Sequence, residues 1–416
     1  MLPGHSRDPH LYTSKRRNLD AHLQTLLCYK NSTPFIRIVM VTIREIADKD
    51  FIPLAEFLPQ GLPFKTTTKE TWLRRFPIWW ARNPAYEPQI PKGWILEHEK
   101  KIVGFIGNIP VKFLIRGEIK TAAAAVSWYV DPSVRGLTSI RLFHEYLKQK
   151  RASLFLFNTD RSDLIPILVK NKFREYILPQ SQMEYGYIIN RKNVDILLRE
   201  FLFLKRFPKG HELLDFFKRL GMVLHAFTLQ KPVVRSSNFP DQEYTSSLCT
   251  FCDNSFSRIW EPYMQSCDVT LSRDTNTLNW IYFSAIDSTK RIVIQCRRSG
   301  DTSLAGYMVF DILPKKTTDM AIMYLMDMCF DNNDPQVIAS LIAHAIETGR
   351  QHKVTLLVVW ADSPETEKYF ERNFVLRKAS QRHNYIRLSQ ALEENSDSLS
   401  ICPSLIAPPR GIDHFT

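Results

Sequence analysis

The stretch WYVDPSVRGLTSIRLF, residues Trp128 to Phe143, decides the fold of this chain. A β-rich run ends in Val-Asp-Pro, an Arg-Gly turn follows, and the pattern predicts a helix that begins at Leu137 or Thr138. A strand, a short polar turn and a helix N-terminus bring free backbone N–H groups and the positive end of the helix dipole to one point. Such a point can bind an anion. The same pattern is also that of an ordinary strand-to-helix turn.

The composition is that of a soluble globular protein, with 416 residues, 44% hydrophobic and 24% charged. This length has room for two or three domains. No apolar run is long enough for a membrane span, and residues 1–26 lack the apolar core of a signal peptide. Seven cysteines at irregular spacing indicate reduced thiols and a cytoplasmic location. Cys249 and Cys252 form a CxxC pair, but no second ligand pair follows, so we expect no metal site.

The net charge of +12 at pH 7 suits three kinds of partner: nucleic acid, an anionic membrane surface or a polyanionic ligand such as a nucleotide cofactor. The basic residues are spread along the chain and form no Lys/Arg tract. This distribution argues against nucleic acid, and it leaves weak peripheral membrane contact open.

The order of predicted elements is the same in the two halves of the chain. After a polar extension (1–39), the first half reads strand, two helices, three strands, a helix from Leu137 to about Lys150, an apolar strand, a helix and a last strand at Met183–Ile189. Residues 191–239 differ, with two connecting basic amphipathic helices predicted at Val194–Leu204 and Leu213–Phe227. Residues 240–390 then repeat the order, and 391–416 form a loose tail. A repeat at about 200 residues indicates two copies of one domain.

This arrangement resembles the GNAT (Gcn5-related N-acetyltransferase) superfamily. Three motifs carry the resemblance: Val130-x-Pro132-x-x-Arg135-Gly136 before a helix, and the aromatic helix endings LVKNKF (168–173) and KYFERNF (368–374). The doubling resembles tandem members, and the nearest resemblance is to bacterial GNAT proteins associated with polysaccharide biosynthesis. The implied fold is α/β (α+β), with tandem GNAT-like domains at 40–190 and 240–390. Each would have a mixed, mostly antiparallel central sheet flanked by helices.

The resemblance implies that acetyl-CoA or another acyl-CoA is the cosubstrate, with no metal. In the family the loop N–H groups hold the CoA pyrophosphate. That role is carried over to matching positions of the first half: Arg135, Gly136, Leu137, Thr138, Ser139 and Ile140. The splayed strands that end at Val130 and Asn158 would hold the pantetheine arm by backbone hydrogen bonds. Thr138 and Ile140 stand where the family has small glycines, and we expect the hydroxyls of Thr138 and Ser139 to add donors. The second half has Asp331 to Val337 (DNNDPQV) instead, and its two acids predict that it binds no CoA.

The implied reaction is direct acyl transfer to an amine or hydroxyl of a small-molecule or sugar-type acceptor. A backbone N–H near Trp128–Val130 would polarise the thioester carbonyl. The family's proton-donating Tyr falls at Leu168 in the first half and at Tyr369 in the second. Other proton donors are Tyr185 and Tyr187, and base candidates are Glu97, His98 and Asp131. A cleft lined by aromatic side chains is predicted for the acceptor, with Trp72, Trp79, Trp80 and Trp94.

Two other functions stay open. Ile140, Leu168 and the degenerate second loop favour a non-catalytic tandem GNAT-like binding module. The +12 charge would suit a Fem-like aminoacyl-tRNA-dependent transferase. Against that reading, the sequence shows no long helical-hairpin insertion and no clustered basic residues.

Overall fold

Apolar runs of alternating or continuous pattern form the strands of the computed structural model. The structure describes residues 40–61, 68–159, 161–176, 183–190, 243–266, 268–284, 291–301, 303–314, 321–331, 334–361, 363–374, 376–379 and 383–389. From Val41 onward the chain forms one compact unit. The predicted extension (1–39), the two connecting helices and the tail (391–416) lie outside the described residues.

The described strands number fifteen. In chain order they are β1 (Thr42–Glu45), β2 (Gly93–His98), β3 (Lys101–Ile115), β4 (Glu118–Val130), β5 (Leu154–Thr159), β6 (Arg174–Tyr176), β7 (Met183–Ile188), β8 (Tyr244–Cys249), β9 (Val269–Leu271), β10 (Arg291–Arg298), β11 (Leu304–Pro314), β12 (Ala321–Phe330), β13 (Val354–Trp360), β14 (Leu376–Ala379) and β15 (His383–Leu388).

The helices of the described ranges lie between these strands. They are α1 (Phe51–Gly61), α2 (Lys69–Trp79), α3 (Leu137–Leu147), α4 (Ile165–Lys170), α5 (Asn254–Arg258), α6 (Glu261–Ser266), α7 (Thr275–Phe283), α8 (Pro335–Gln351) and α9 (Pro364–Asn373). No helix among the described residues is long and apolar enough to cross a membrane.

The strands pair into two mixed sheets, each mostly antiparallel. The first has the order β1-β2-β3-β4-β5-β15-β6, with β9 added beside one end of β3, and the second has the order β14-β7-β13-β12-β11-β10-β8. Each sheet contains one parallel pair, β4 with β5 and β12 with β13. The predicted fold class of mixed sheets flanked by helices is therefore confirmed.

The two halves of the chain exchange their last strands. β7 is the last strand predicted for the first half, but it pairs with β13 and β14 in the second sheet. β15, from the end of the second half, pairs with β5 and β6 in the first sheet. Neither sheet is complete without a strand from the other half.

The helices α1 and α2 bring aromatic side chains into a core that both halves share. The indole N–H of Trp280 on α7 donates to the carbonyl of Ile78 at the end of α2, at 2.8 Å. The tryptophans predicted to line an acceptor cleft are core residues with exposed fractions of 0–6%: Trp72, Trp79, Trp80 and Trp94. The aromatic cleft prediction is therefore wrong, because these large rings are buried in the core, where their burial stabilises the fold.

Candidate functional site

The parallel strands β4 and β5 separate near their carboxyl ends. They pair only where Ala122–Ala124 faces Leu154–Leu156. Beyond these residues β4 runs on to Val130 and β5 to Thr159 without pairing to each other. Beyond this point the two strands form no backbone hydrogen bonds with each other. The gap between them can therefore accept hydrogen-bonding groups of a ligand.

A bulge in β4 lies beside this opening. Tyr129 pairs with Phe105 and Val126 with Gly107, so Ser127 and Trp128 together oppose a single residue of β3. Ser127 has a φ of +53°, which is uncommon for a residue with a side chain. Bulges of this kind bend the strand and redirect its groups, and they recur next to active sites. The sequence carries no signal for this bulge.

The end of β4 turns its last peptide groups toward the opening. The N–H of Asp131 donates to the carbonyl of Val103 on β3 at 2.8 Å. Because backbone groups alternate along an antiparallel strand, the N–H and C=O of Val130 then lie on the β5 side. The Arg135 guanidinium donates to that carbonyl from Nε and Nη2 at 3.1 and 2.9 Å. A positive charge is thereby fixed at the mouth of the opening.

The N-terminus of α3 lies immediately after this arginine and has no side-chain cap. Its N-cap is Gly136, whose φ of +107° is a conformation that L side chains rarely adopt. The N–H groups of Ser139 and Ile140 both donate to the Gly136 carbonyl, at 3.1 and 3.4 Å. The N–H groups of Gly136, Leu137 and Thr138 find no acceptor in the part of the chain that the structure describes. These groups form the anion-binding feature that the sequence pattern predicts.

The predicted hydroxyl donors are not available there. The Thr138 hydroxyl donates to the carbonyl of Val134, which lies in the preceding turn. The Ser139 hydroxyl is buried and has no partner within the described ranges. Asn158 is exposed and lies on β5, in the part of that strand that pairs with β15. The expectation that the Thr138 hydroxyl adds a donor is therefore wrong, because that hydroxyl is already bonded within its own turn.

The corresponding region of the second half is filled by the chain itself. The pairing of β12 with β13 stops at Tyr324 and Val358. The indole N–H of Trp360 donates to the next carbonyl, that of Leu325, at 2.9 Å. The carboxylate of Asp334 caps the N-terminus of α8, where it accepts a hydrogen bond from the Gln336 N–H at 2.8 Å. Among the described residues of this half, the gap between β12 and β13 and the anion position before α8 are therefore both occupied by side chains of the chain.

The base candidates lie at the same end of the first sheet but are engaged elsewhere. Glu97, on β2, forms an ion pair with Arg44, with Oε2 at 2.8 Å from Nη2. Arg44 also binds both carboxylate oxygens of Asp50, at 2.7 and 2.9 Å. His98 lies beside Glu99, with 3.8 Å between Nε2 and Oε1. The sequence could not show that Glu97 has a cationic partner on another strand.

Asp131 is held in a local turn. Its Oδ1 accepts from the Ser133 hydroxyl and, at 2.8 Å, from the Ser133 backbone N–H. These hydrogen bonds, the hydroxyl first, lower the pKa of Asp131 below its ordinary value. A carboxylate stabilised in this way is a weaker proton acceptor than a free one.

Replacement of Asp50 by Asn tests the ion-pair cluster around Glu97. Hydrogen bonding to Arg44 is the main cause that lowers the pKa of Asp50. The folded protein therefore gains stability from this carboxylate above its ordinary pKa of 3.8, and loses it as the pH falls below that value. We expect Asp50→Asn to reduce the free energy of unfolding by about 2 kcal/mol at pH 7 and by much less at pH 3.

The measurement is urea unfolding at several pH values. The control is Asp48→Asn, which removes an exposed carboxylate whose side chain is 78% accessible and pairs with Lys92. We expect the control to change stability by less than about 1 kcal/mol at any pH. A loss for Asp50→Asn that stays constant down to pH 3 would contradict the assigned ion pair.

The predicted tyrosines do not meet the first opening. Tyr185 lies on β7 in the second sheet, and its hydroxyl donates to Glu367 Oε1 at 3.3 Å. Burial is the main cause that raises the pKa of Tyr185 to about 12. Tyr187, on the same strand, packs on Phe374, with the ring centroids 5.7 Å apart. Their predicted role in the first half is wrong, because the strand exchange places them in the other sheet.

The aromatic helix endings have different surroundings in the two halves. Leu168, which stands where the family has a Tyr, is fully buried. Tyr369 is half-buried on α9, and burial raises its pKa above the ordinary value. Neither residue brings a hydroxyl group to the gap between β4 and β5.

Aromatic rings fill the α3 side of the first opening. The Trp128 ring stacks on Phe143 of α3 with centroids 4.9 Å apart. It also meets Phe157 of β5 edge-on at 6.0 Å. Phe173, at the end of the α4 turn, contacts Phe143 at 6.0 Å. These rings form a rigid apolar wall between the two diverging strands.

The CxxC pair is buried, with exposed fractions of 8% for Cys249 and 0% for Cys252. Both are free thiols, and the Cys249 Sγ lies 3.0 Å from the carbonyl oxygen of Phe251. Within the described ranges no group of three His, Cys, Asp or Glu side chains could hold a metal ion.

Comparison with known proteins gives structural neighbours only. No protein-family model matches the chain, and no curated protein matches it either. The chain is similar to Saccharomyces cerevisiae N-myristoyltransferase with bound myristoyl-CoA, at 13% identity and a TM-score of 0.50, over 83% of this chain and 82% of that one. A further structure of that enzyme, with bound myristoyl-CoA and inhibitors, gives 14% identity and a TM-score of 0.50, over 85% and 81% of the two chains.

A bacterial structure gives a similar result. It is a conserved protein from Enterococcus faecalis V583, titled a probable N-acyltransferase. It matches at 10% identity with a TM-score of 0.50, over 84% of this chain and 72% of that chain. At these identities the comparisons concern the fold and not the residues of the site. The chain has the fold of N-acyltransferases that consist of mixed sheets flanked by helices.

Proposed function

We propose that the protein is an acyl-CoA-dependent N- or O-acyltransferase whose acyl donor binds in the first half. The observation that carries the proposal is the uncapped N-terminus of α3 at the mouth of the gap between β4 and β5. The acceptor in this proposal is a small molecule or a sugar-type compound, and the acyl group passes to it directly. As in the GNAT-like resemblance, no metal takes part.

Each structural feature of the gap has a part in this proposal. The N–H groups of Gly136, Leu137 and Thr138 bind the pyrophosphate, and Arg135 adds positive charge nearby. The N–H of Val130 faces the gap and binds an amide carbonyl of the pantetheine arm, while the Val130 C=O holds Arg135. A backbone N–H at the β4 bulge polarises the thioester carbonyl. Alignment of thioester and acceptor supplies much of the rate in a direct transfer.

The aromatic wall favours a short acyl group, with acetyl as the first choice. Trp128 and Phe157 meet across the diverging strands and leave the α3 side filled. The structurally similar yeast enzyme has myristoyl-CoA bound in its structure. Myristoyl-CoA is therefore the long-chain donor to compare with acetyl-CoA. We also propose a reducing, cytoplasmic setting, because the four cysteines among the described residues are free thiols.

A non-catalytic binding module is the second candidate. It is favoured by the buried Leu168 in place of a proton-donating Tyr and by the ion pair that engages Glu97. Such a module would bind acyl-CoA but transfer nothing. The two functions therefore differ in turnover and not in binding.

Replacement of Leu137 by Glu tests the cofactor site with little risk to the fold. Leu137 is 79% exposed in the first turn of α3, where a negative charge stabilises a helix. The same charge would stand beside the pyrophosphate, and repulsion of a few kcal/mol is expected at such a distance. We expect acetyl-CoA to raise the melting temperature of the wild type, and the affinity to fall at least about tenfold in Leu137→Glu.

The matched control is Leu137→Gln, which has the same shape without the charge and should keep its affinity. The measurement is calorimetric titration with acetyl-CoA, myristoyl-CoA and CoA. Release of free thiol with a panel of amines and amino sugars then measures turnover. Binding without turnover supports the non-catalytic module. If no acyl-CoA binds the wild type, the proposal is wrong.

A further inference from the structure

Helix α2 carries three buried side chains that bear N–H groups and share one face of the helix. Trp72, Arg75 and Trp79 are spaced at i, i+3 and i+7 and are exposed by only 0%, 1% and 2%. The Arg75 guanidinium lies 4.6 Å from the centre of the Trp72 ring. The Trp72 and Trp79 rings meet edge-on, with centroids 5.7 Å apart. The three side chains therefore form one cluster.

The cluster contains donors and no acceptor. The Nε1 atoms of Trp72 and Trp79, and Nε and Nη1 of Arg75, are buried without a hydrogen-bond partner anywhere in the described ranges. Indole and guanidinium groups can only donate. Buried polar groups in folded proteins nearly always have partners, so four such atoms on three neighbouring side chains indicate a missing acceptor.

Other buried arginines of the chain show what is missing. Arg273 binds Asp327 at 2.6 Å, and Arg291 binds Asp311 at 2.7 Å. Both pairs are almost fully buried. No carboxylate among the described residues pairs with Arg75. Burial lowers the pKa of Arg75 to about 10, so the group is still charged at neutral pH.

A buried charge without a counter-charge strongly destabilises a fold. Contact with the Trp72 ring offsets only part of this, because a cation–π contact is weaker than a buried ion pair. The cluster is also held from two sides, by α1 through the contact of Phe51 with Phe76 at 5.1 Å and by α7 through Trp280. The helix that carries the cluster is thereby held between two neighbouring helices.

We propose that Trp72, Arg75 and Trp79 form an internal binding site for an oxyanion, either a carboxylate or a phosphate group of a ligand. Arg75 supplies the positive charge and two N–H groups, and each indole adds one. This site goes beyond the acyl-CoA site and does not depend on it, because it uses other residues on another helix. The expected occupant is a single compact anionic group, since the cluster offers one charge.

The test compares sodium phosphate and sodium acetate with sodium chloride at equal ionic strength. We expect phosphate or acetate to raise the melting temperature of the wild type saturably, and chloride to have no such effect. A response to phosphate alone assigns a phosphate-bearing ligand, and a response to acetate assigns a carboxylate. Arg75→Met should lower the affinity for the anion at least about tenfold. The matched control Arg74→Met, at an exposed position of the same helix, should keep the response.

The variants also separate a ligand site from an internal ion pair. In chloride alone, Arg75→Met should melt at the same temperature as the wild type or higher, since a buried charge has been replaced by an apolar side chain. A large loss of stability in chloride would show that the chain itself neutralises Arg75, and would overturn the proposal. So would the absence of any saturable oxyanion response in the wild type, even if Arg75→Met fails to fold. A saturable anion response that remains in Leu137→Glu and is lost in Arg75→Met belongs to this site, which separates it from the acyl-CoA site.

Discussion

Replacement of Ile386 by Asp is expected to unfold the first sheet, although residue 386 belongs to the second half of the chain. Ile386 lies on β15, faces Leu156 of β5 and is only 6% exposed. The change removes a buried aliphatic side chain and puts a charge in its place, so we expect a loss of about 4 kcal/mol or more. Hydrogen exchange should show that β4 and β5 lose protection before β12 and β13.

The control for this variant is Leu248→Asp. This variant also replaces an aliphatic strand residue of the second half by Asp, but the side chain of Leu248 is 53% exposed. We expect a change of less than about 1 kcal/mol for the control. If Ile386→Asp reduced protection in the second sheet and left β5 unaffected, the exchange of strands would be contradicted.

Replacement of Asp327 by Ala should be nearly as damaging. Asp327 is 4% exposed and accepts hydrogen bonds from Arg273 Nη2, at 2.6 Å, and from the Tyr282 hydroxyl. Arg273 also donates to the Tyr307 hydroxyl at 2.6 Å. Removal of the carboxylate leaves a guanidinium in the shared core, and we expect a loss of about 3–5 kcal/mol in urea unfolding.

Two comparisons make this measurement specific. Glu371→Ala breaks an exposed pair with Arg377 and should change stability by less than about 1 kcal/mol. The double variant Asp327→Leu with Arg273→Met removes both charges, so it should be more stable than Asp327→Ala alone. A double variant that is less stable than Asp327→Ala would show that the charges are not the cause.

The strands and helices of the fold could be predicted from the sequence, but the sheets to which they belong could not. Alternating or continuous apolar runs located β3, β4, β5 and β13, and the internal repeat indicated two similar sheets. The run at Met183–Ile189 predicts the last strand of the first half, and this strand is present as β7. Such a strand could pair with an open edge of either sheet, because hydrophobic periodicity specifies a strand's faces and not its neighbours.

The candidate site was predictable to a similar degree. Gly136 and the turn before it indicated the N-terminus of α3, because this local pattern specifies free N–H groups without help from distant residues. The partners of single side chains were not visible. Arg44 lies 53 residues before Glu97, so the sequence does not show that they are neighbours. Thr138 donates to the carbonyl of Val134, whose position depends on the conformation of the turn.

The exchange of β7 and β15 has a consequence for synthesis of the protein in the cell. β5 leaves the ribosome about 230 residues before its neighbour β15. At about 5–20 residues per second, the edge of β5 waits roughly 10–45 seconds for its partner. During that time the apolar strand Leu154–Thr159 is open to pairing with other chains. The nascent first half is therefore expected to be a client of ribosome-associated chaperones.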